Sequence, residues 1–171
     1  GDPSFLYDDV VKSSKVYDFL RQAPKLFYST ANFSAEQFGP GWAWEDYQYA
    51  YQVERTPFPI YGNRFHVRKE GNNFIPNPPV FRTGIVRAPR PQEKHDLVRG
   101  PDSNSLRYVP GTRDSSSEWE IPFHYSDPFL TFLLGDTLKK EVTPVTIPFD
   151  HQASTLYSVP ADSLYKVMMQ E

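Results

Sequence analysis

Ser163-Leu164-Tyr165-Lys166 has the spacing of a nucleophile with its own base. On a helix the lysine amine lies one turn from the serine hydroxyl and can take its proton, leaving an acylating alkoxide. Sites of that type also need a Ser-x-Asn element and a Lys-Thr-Gly strand, and the chain has neither. Ser163 therefore reads as a polar position near a helix start. No catalytic residue is assigned on this chain.

His66, His95, His124 and His151 could act as ligands or bases, but none stands in a His-Glu-x-x-His spacing. They read as surface or hydrogen-bonded histidines. A Ser-His-Asp triad assembles from distant positions and stays open, although no Gly-x-Ser-x-Gly turn supports it. Gly39-Pro40-Gly41 is no phosphate loop, since its proline removes a donor that such a loop uses.

Two groups of side chains could bind rather than react. Trp42, Trp44, Tyr47, Tyr49 and Tyr51 could stack on sugar rings or bases, or pack as core and cross-strand pairs. The alternation of the tyrosines favours the core. Residues 82–113 carry seven basic side chains against three acidic ones, on a chain of net charge −3. Arg87, Arg90 and Arg99 belong to that excess, which could attract an anionic polymer or be a solvated loop without consequence. Trp42, Trp44, Arg87, Arg90 and Arg99 are the ligand-binding candidates. The overall charge argues against a nucleic-acid partner.

These residues need elements to hold them. Val16, Phe19 and Leu20 fit a helix after Asp8 and Asp9, ended by Pro24. Leu26 to Thr30 reads as a short strand. Tyr47, Tyr49, Tyr51 and Val53 alternate with polar or small residues as a strand, and Phe65 and Val67 alternate after a Gly62-Asn63 turn. Tyr47 to Lys69 thus reads as an antiparallel pair interrupted by Pro57 and Pro59. Val80 to Val86 reads as a strand. Residues 88–117 are rich in Pro, Ser, Asp, Arg and Gly and read as a long polar and basic loop with one short strand, Leu106 to Val109.

Trp119, Ile121 and Phe123 alternate as a strand. Ser126-Asp127-Pro128 is a helix start, followed by Leu130, Leu133, Leu134 and Leu138 on one face and by Lys139 and Lys140. Val145, Ile147 and Phe149 read as a strand, and Pro160 to Glu171 as a helix that stops without a capping residue.

The order predicts an α+β fold, a largely antiparallel sheet with about three helices packed on one face. The 171 residues suit a single domain over 1–171, and 16% aromatic content supplies a core. Seventeen prolines favour short strands and ordered loops over long helices. The absence of cysteine excludes thiolate chemistry. No apolar run reaches the roughly 18 residues of a transmembrane helix, and no signal peptide is present in the sequence.

Several stretches, in order, resemble one family. Gly1-Asp2-Pro3-Ser4-Phe5 resembles the Gly-Asp-Pro element that opens a long insert in the penicillin-binding serine D-alanyl-D-alanine carboxypeptidase/endopeptidase family. That insert lies between the family's Ser-x-x-Lys and Ser-x-Asn motifs. Phe38-Gly39-Pro40-Gly41-Trp42-Ala43-Trp44-Glu45-Asp46 resembles its Gly-x-Gly-Trp-x-Trp-Asp-Asp stretch, with Glu45 in place of an Asp. Ile121-Pro122-Phe123 with Asp127-Pro128 resembles its entry to a helix. Ser158-Val159-Pro160 to Met169-Gln170-Glu171 resembles the helix leading into the Ser-Asp-Asn motif. Asn32-Phe33-Ser34 follows the family's Asp-x-Ser-x-Phe only loosely, and residues 88–117 match no part of it.

The resemblance implies a parent enzyme that attacks the terminal D-Ala-D-Ala bond of peptidoglycan stem peptides through a serine acyl-enzyme. It implies inhibition by penicillin, no cofactor, and a periplasmic or cell-surface location. The catalytic motifs would lie outside these residues, so this chain alone is expected to be inactive. Its partners would be the rest of the parent carboxypeptidase chain and peptidoglycan. The alternative is an independent cell-wall glycan- or peptide-binding module.

Overall fold

The computed structural model describes residues 5–6, 15–112 and 117–148. They form a mixed α/β structure with mostly antiparallel sheets, in two compact units. The chain alternates between the units. Residues 57–62 belong with the segments up to 35 and from 127 onward, and the other unit holds 36–56 and 63–126.

The first unit contains α1 (Lys15–Gln22), β1 (Leu26–Tyr28), α2 (Asp127–Leu138) and β8 (Val142–Pro144). β1 pairs with β8 in parallel, Leu26 opposite Val142. Parallel neighbours need a long crossover, and here more than a hundred residues separate the two strands. α2 begins at Asp127, a favourable charge at the positive end of the helix dipole, with Pro128 in its first turn. Leu130, Leu133, Leu134 and Leu138 are buried. The helix closes with Lys139 in the left-handed region (φ 52°) and the Lys140 N–H on the Gly135 carbonyl at 3.1 Å. That is a Schellman closure with lysine where glycine is usual. Residues 57–62 are tied in by the Tyr61 N–H on the Phe5 carbonyl (3.0 Å), by Phe58 edge-on to Phe5, and by the Tyr61 hydroxyl on Thr137 (3.1 Å).

The second unit carries two three-stranded sheets. β2 (Arg64–Glu70) is central in one, antiparallel to both β3 (Asn73–Asn77) and β7 (Ser117–Pro122). Phe65, Val67 and Lys69 face inward and are buried, while His66, Arg68 and Glu70 face out, the alternation of a half-buried strand. In the other sheet β6 (Leu106–Val109) lies between β4 (Ile85–Arg87), parallel to it, and β5 (Asp96–Arg99), antiparallel. Aromatic contacts join the two inner faces. Tyr108 of β6 meets Phe74 of β3 and Trp119 of β7 edge-on at 4.9 and 6.2 Å, and Phe65 of β2 stacks on Phe81, between β3 and β4, at 4.1 Å between centroids.

The expected helix after residue 9, the strand at 26–30, the strand at 119–123 and the helix from 127 correspond to α1, β1, β7 and α2. Among the described residues there are two α-helices rather than about three, and three small sheets rather than one. The third expected helix, 160–171, and Phe149 lie outside the described residues. The Tyr47–Lys69 hairpin does not form. β2 pairs instead across the Gly71 turn with β3, and residues 44–48 form a 3-10 helix followed by a turn over 49–51 and irregular chain. Val80 to Val86 is a 3-10 segment (Pro79–Thr83) and then β4, because Pro78 and Pro79 remove ladder donors. The strand expected at 106–109 is β6, and 88–117 also contains β5. Residues 145–148, the described part of the strand expected at 145–149, form no strand; β8 ends before them at Pro144. Among the described residues no helix is long and apolar enough to cross a membrane.

Candidate binding site

A run of tight turns shapes residues 39–52 in the second unit. Gly41 has φ +84°, a backbone that a side chain would strain, and the Trp42 N–H reaches the Gly39 carbonyl at 3.3 Å. A 3-10 helix, Trp44–Gln48, follows. The Asp46, Tyr49 and Gln52 N–H groups bond the carbonyls of Ala43, Asp46 and Tyr49 at 3.1, 2.9 and 2.9 Å. The buried Gln52 side chain donates back to the Ala43 carbonyl at 2.6 Å, closing the loop on itself.

Beneath the loop lies a buried ionic cluster. The Arg99 side chain is fully buried, and Glu54 is 1% exposed. Their closest atoms are 3.7 Å apart. Arg99 Nη1 donates to the carbonyls of Gly100, Pro101 and Ser103 at 2.9, 3.2 and 3.2 Å, and Nη2 to the Tyr47 carbonyl at 3.1 Å. The Tyr47 hydroxyl returns a bond to the Arg99 carbonyl at 3.1 Å, and the guanidinium stands 5.0 Å from the Tyr47 ring centroid. Glu54 accepts the Tyr125 N–H at 2.7 Å and bonds His124 Nδ1 at 3.0 Å. Asn104 clamps the His124 backbone from both sides, donating to its carbonyl at 2.8 Å and accepting its N–H at 2.7 Å. Burial pushes the Arg99 pKa down, and the Glu54 charge opposes that shift. The group stays a cation at any ordinary pH.

This frame inverts the expected orientation of the tyrosine run. Gln52, Glu54 and Thr56 are buried, while Tyr49 and Tyr51 before them face out and Tyr47 is half-buried against Arg99. Trp42 is 42% exposed, Trp44 72%, Tyr49 50% and Tyr51 67%. Exposure alternates only from Tyr51 to Thr56, without the expected strand, and the buried side there is the polar one, because each inward polar group finds partners. Thr56 and Asn63 bond one another, and Asn63 Nδ2 donates to the Glu54 carbonyl at 2.9 Å. Tyr49 and Tyr51 stack nearly parallel, 8° between planes and 5.7 Å between centroids. Desolvation, then a hydrogen bond to Asp46 and its charge, raise the Tyr51 phenol above its ordinary pKa.

The sequence-predicted candidates thus separate. Trp42 and Trp44 lie exposed on the loop. Arg99 lies below it with its Nη1 and Nη2 groups committed to backbone carbonyls. Arg87 and Arg90 are exposed, Arg87 with its guanidinium 5.7 Å from the Tyr108 centroid. Ser163, Lys166 and His151 lie outside the described residues. His66 pairs with Glu120 at 3.2 Å, beside the Arg64–Glu120 pair at 2.9 Å.

Sequence reading missed two sets of contacts. One is Glu54–Arg99–His124, whose members sit 45 and 25 residues apart with no local motif. The other is a hydrogen bond between His95 Nε2 and Ser117 Oγ. A hydroxyl on an imidazole is half of a nucleophilic device. Here the imidazole stands edge-on to Trp119, 5.6 Å between centroids, and the bond ties the 88–95 segment to the start of β7. Neither residue lines a groove of about 260 Å³ in this unit, formed by His66, Val67, Arg68, Ile75, Asn77 and Glu118.

No protein-family model matches the chain, and no curated protein matches it. Among solved structures the chain is similar to the crystal structure of penicillin binding protein 4 (dacB) from Haemophilus influenzae, with 16% identity and a TM-score of 0.49. The similarity covers 77% of this chain and 33% of that one, so the chain spans about a third of that protein's length.

Proposed function

We propose that the chain is a non-catalytic domain inserted in a serine-type D-Ala-D-Ala carboxypeptidase, an enzyme acting on peptidoglycan stem peptides in the periplasm or at the cell surface. The ordered resemblance of four sequence stretches supports the parentage. The non-catalytic half rests on one observation: the best-formed ionic cluster is sealed and turned onto its own backbone, while the loop above it offers solvent mainly aromatic faces. Among the described residues, such a surface suits binding or docking. The domain then flanks the parent's cleft or holds the enzyme on the wall.

Fluorescent penicillin tests this. It should label the full-length parent on a serine outside these residues and leave the 171-residue chain dark. Labelling of the chain, lost on Ser163→Ala or on Ser117→Ala, overturns the reading. The parent gene should also carry Ser-x-x-Lys upstream, and Ser-x-Asn and Lys-Thr-Gly downstream, in one frame.

The exposure of Trp42, Trp44, Tyr49 and Tyr51 favours a second reading, an independent cell-wall glycan- or peptide-binding module. A gene without the three motifs that still encodes a wall-binding protein would support that reading over the first.

A further inference from the structure

We propose that Tyr49, Tyr51 and Asp46 form a saccharide subsite that takes a pyranose ring of an uncharged glycan chain. The inference deepens the binding role proposed above and names its ligand class. Three observations carry it.

First, two phenol rings stand nearly parallel on the surface, half or more of each exposed, 5.7 Å between centroids. A pyranose has a face of C–H groups and a rim of hydroxyls. Its C–H face sits on an aromatic ring as another apolar ring does, and its hydroxyls need acceptors at the edge. Second, that edge is supplied. Asp46 lies in the same turn, its carbonyl accepting the Tyr49 N–H at 2.9 Å and its charge close enough to raise the Tyr51 phenol, so a carboxylate stands by the stacked pair and keeps lone pairs for a sugar hydroxyl. Third, the platform is stiff. Asp46 and Tyr49 lie in the turn closed by Gln52, and Tyr47 of the same turn is tied to buried Arg99 by hydrogen bonds in both directions. A site ordered before binding spends less of its contact energy on ordering.

Charge selects among ligands that aromatics accept. Glu45 is exposed next to Asp46, so the loop presents two carboxylates. These repel nucleic-acid phosphates and anionic lipid headgroups and leave a neutral sugar unopposed. A greasy protein helix fits poorly as well, since it offers no donors to Asp46.

The test titrates the 171-residue chain with a soluble β-1,4-linked N-acetylglucosamine hexamer, followed by NMR shifts and tyrosine fluorescence. A proline-rich decapeptide serves as the rival ligand. The hexamer should bind, and Tyr51→Ala or Tyr49→Ala should weaken it about fivefold or more. Tyr51→Phe should retain most of the stacking and lose about twofold to fivefold, with Asp46→Asn similar. Lys25→Ala, at an exposed position of the other unit, should change nothing. Circular dichroism and urea midpoints should match the wild type in every variant, because these side chains face solvent. The proposal fails if the folded chain does not bind the hexamer. It also fails if binding survives both tyrosine-to-alanine changes, or if the peptide binds there and the sugar does not. None of these outcomes alters penicillin labelling of the parent, so the subsite can fall while the parentage stands.

Discussion

The Arg99 guanidinium reaches three carbonyls of residues 100–103 and the carbonyl of Tyr47, and faces Glu54 in a space closed to water. Removing one member of such a buried pair leaves the other charged and unsolvated. Arg99→Met should therefore cost about 3–5 kcal/mol, read as a lower urea midpoint. Glu54→Gln with Arg99→Met should cost less than the two singles summed, since the second change removes a charge that the first stranded. Arg90→Ala, fully on the surface, should stay within about 0.5 kcal/mol of wild type. At this scale the sequence showed which residues were notable and hid what they do. Trp42 and Trp44 were legible as candidates from their type and spacing. Arg99 looked like one more basic loop residue, because its partners come from residues 47, 54 and 100–103 and only folding brings them together.

Elements were legible where local chemistry decides them. α2 announces itself through Asp127, Pro128 and four leucines at helical spacing, and β7 through Trp119 and Ile121. They were misread where tertiary partners decide. Period-two spacing at 47–56 does not say which face is buried, and the rule that aromatic residues go inward lost to satisfied hydrogen bonds. Residues 88–117 looked loose by composition apart from one strand, yet β5 also forms there beside β6, because Leu97, Leu106 and Tyr108 are buried. Gly111 tests that order. A Cβ there would lie 2.6 Å from the His95 backbone nitrogen, and Gln92 bridges to Gly111. Gly111→Ala should push the 88–95 segment off the sheet, break the His95–Ser117 bond and cost about 1–3 kcal/mol. Loss of amide protection at Gln92 and Thr112, with β2 and β3 unchanged, would be the hydrogen-exchange signature.

Phe19, Phe27, Phe132 and Ile147, all in the first unit, are each at least half exposed. Phe132 lines a mostly apolar groove of about 560 Å³ beside α2 and β8. Scattered apolar residues are ordinary, but a groove of this kind makes a chain sticky in isolation. The 171-residue chain should bind a hydrophobic dye and self-associate at high concentration in sedimentation runs. Phe132→Asp should weaken both, with the thermal midpoint nearly unchanged because the side chain already faces water.

The backbone passes from one unit to the other four times, near residues 35, 56, 62 and 126. Neither unit can therefore be lifted out by two cuts in the gene, as a bead is taken off a string. A piece running from 36 to 126 carries six residues that belong elsewhere, among them the fully buried Ile60. It would bring that side chain into water together with its neighbours Phe58 and Tyr61. A single protease nick at any crossing would leave both halves of the polypeptide threaded through a common body. Such nicked protein should run whole on a sizing column and come apart only in denaturant.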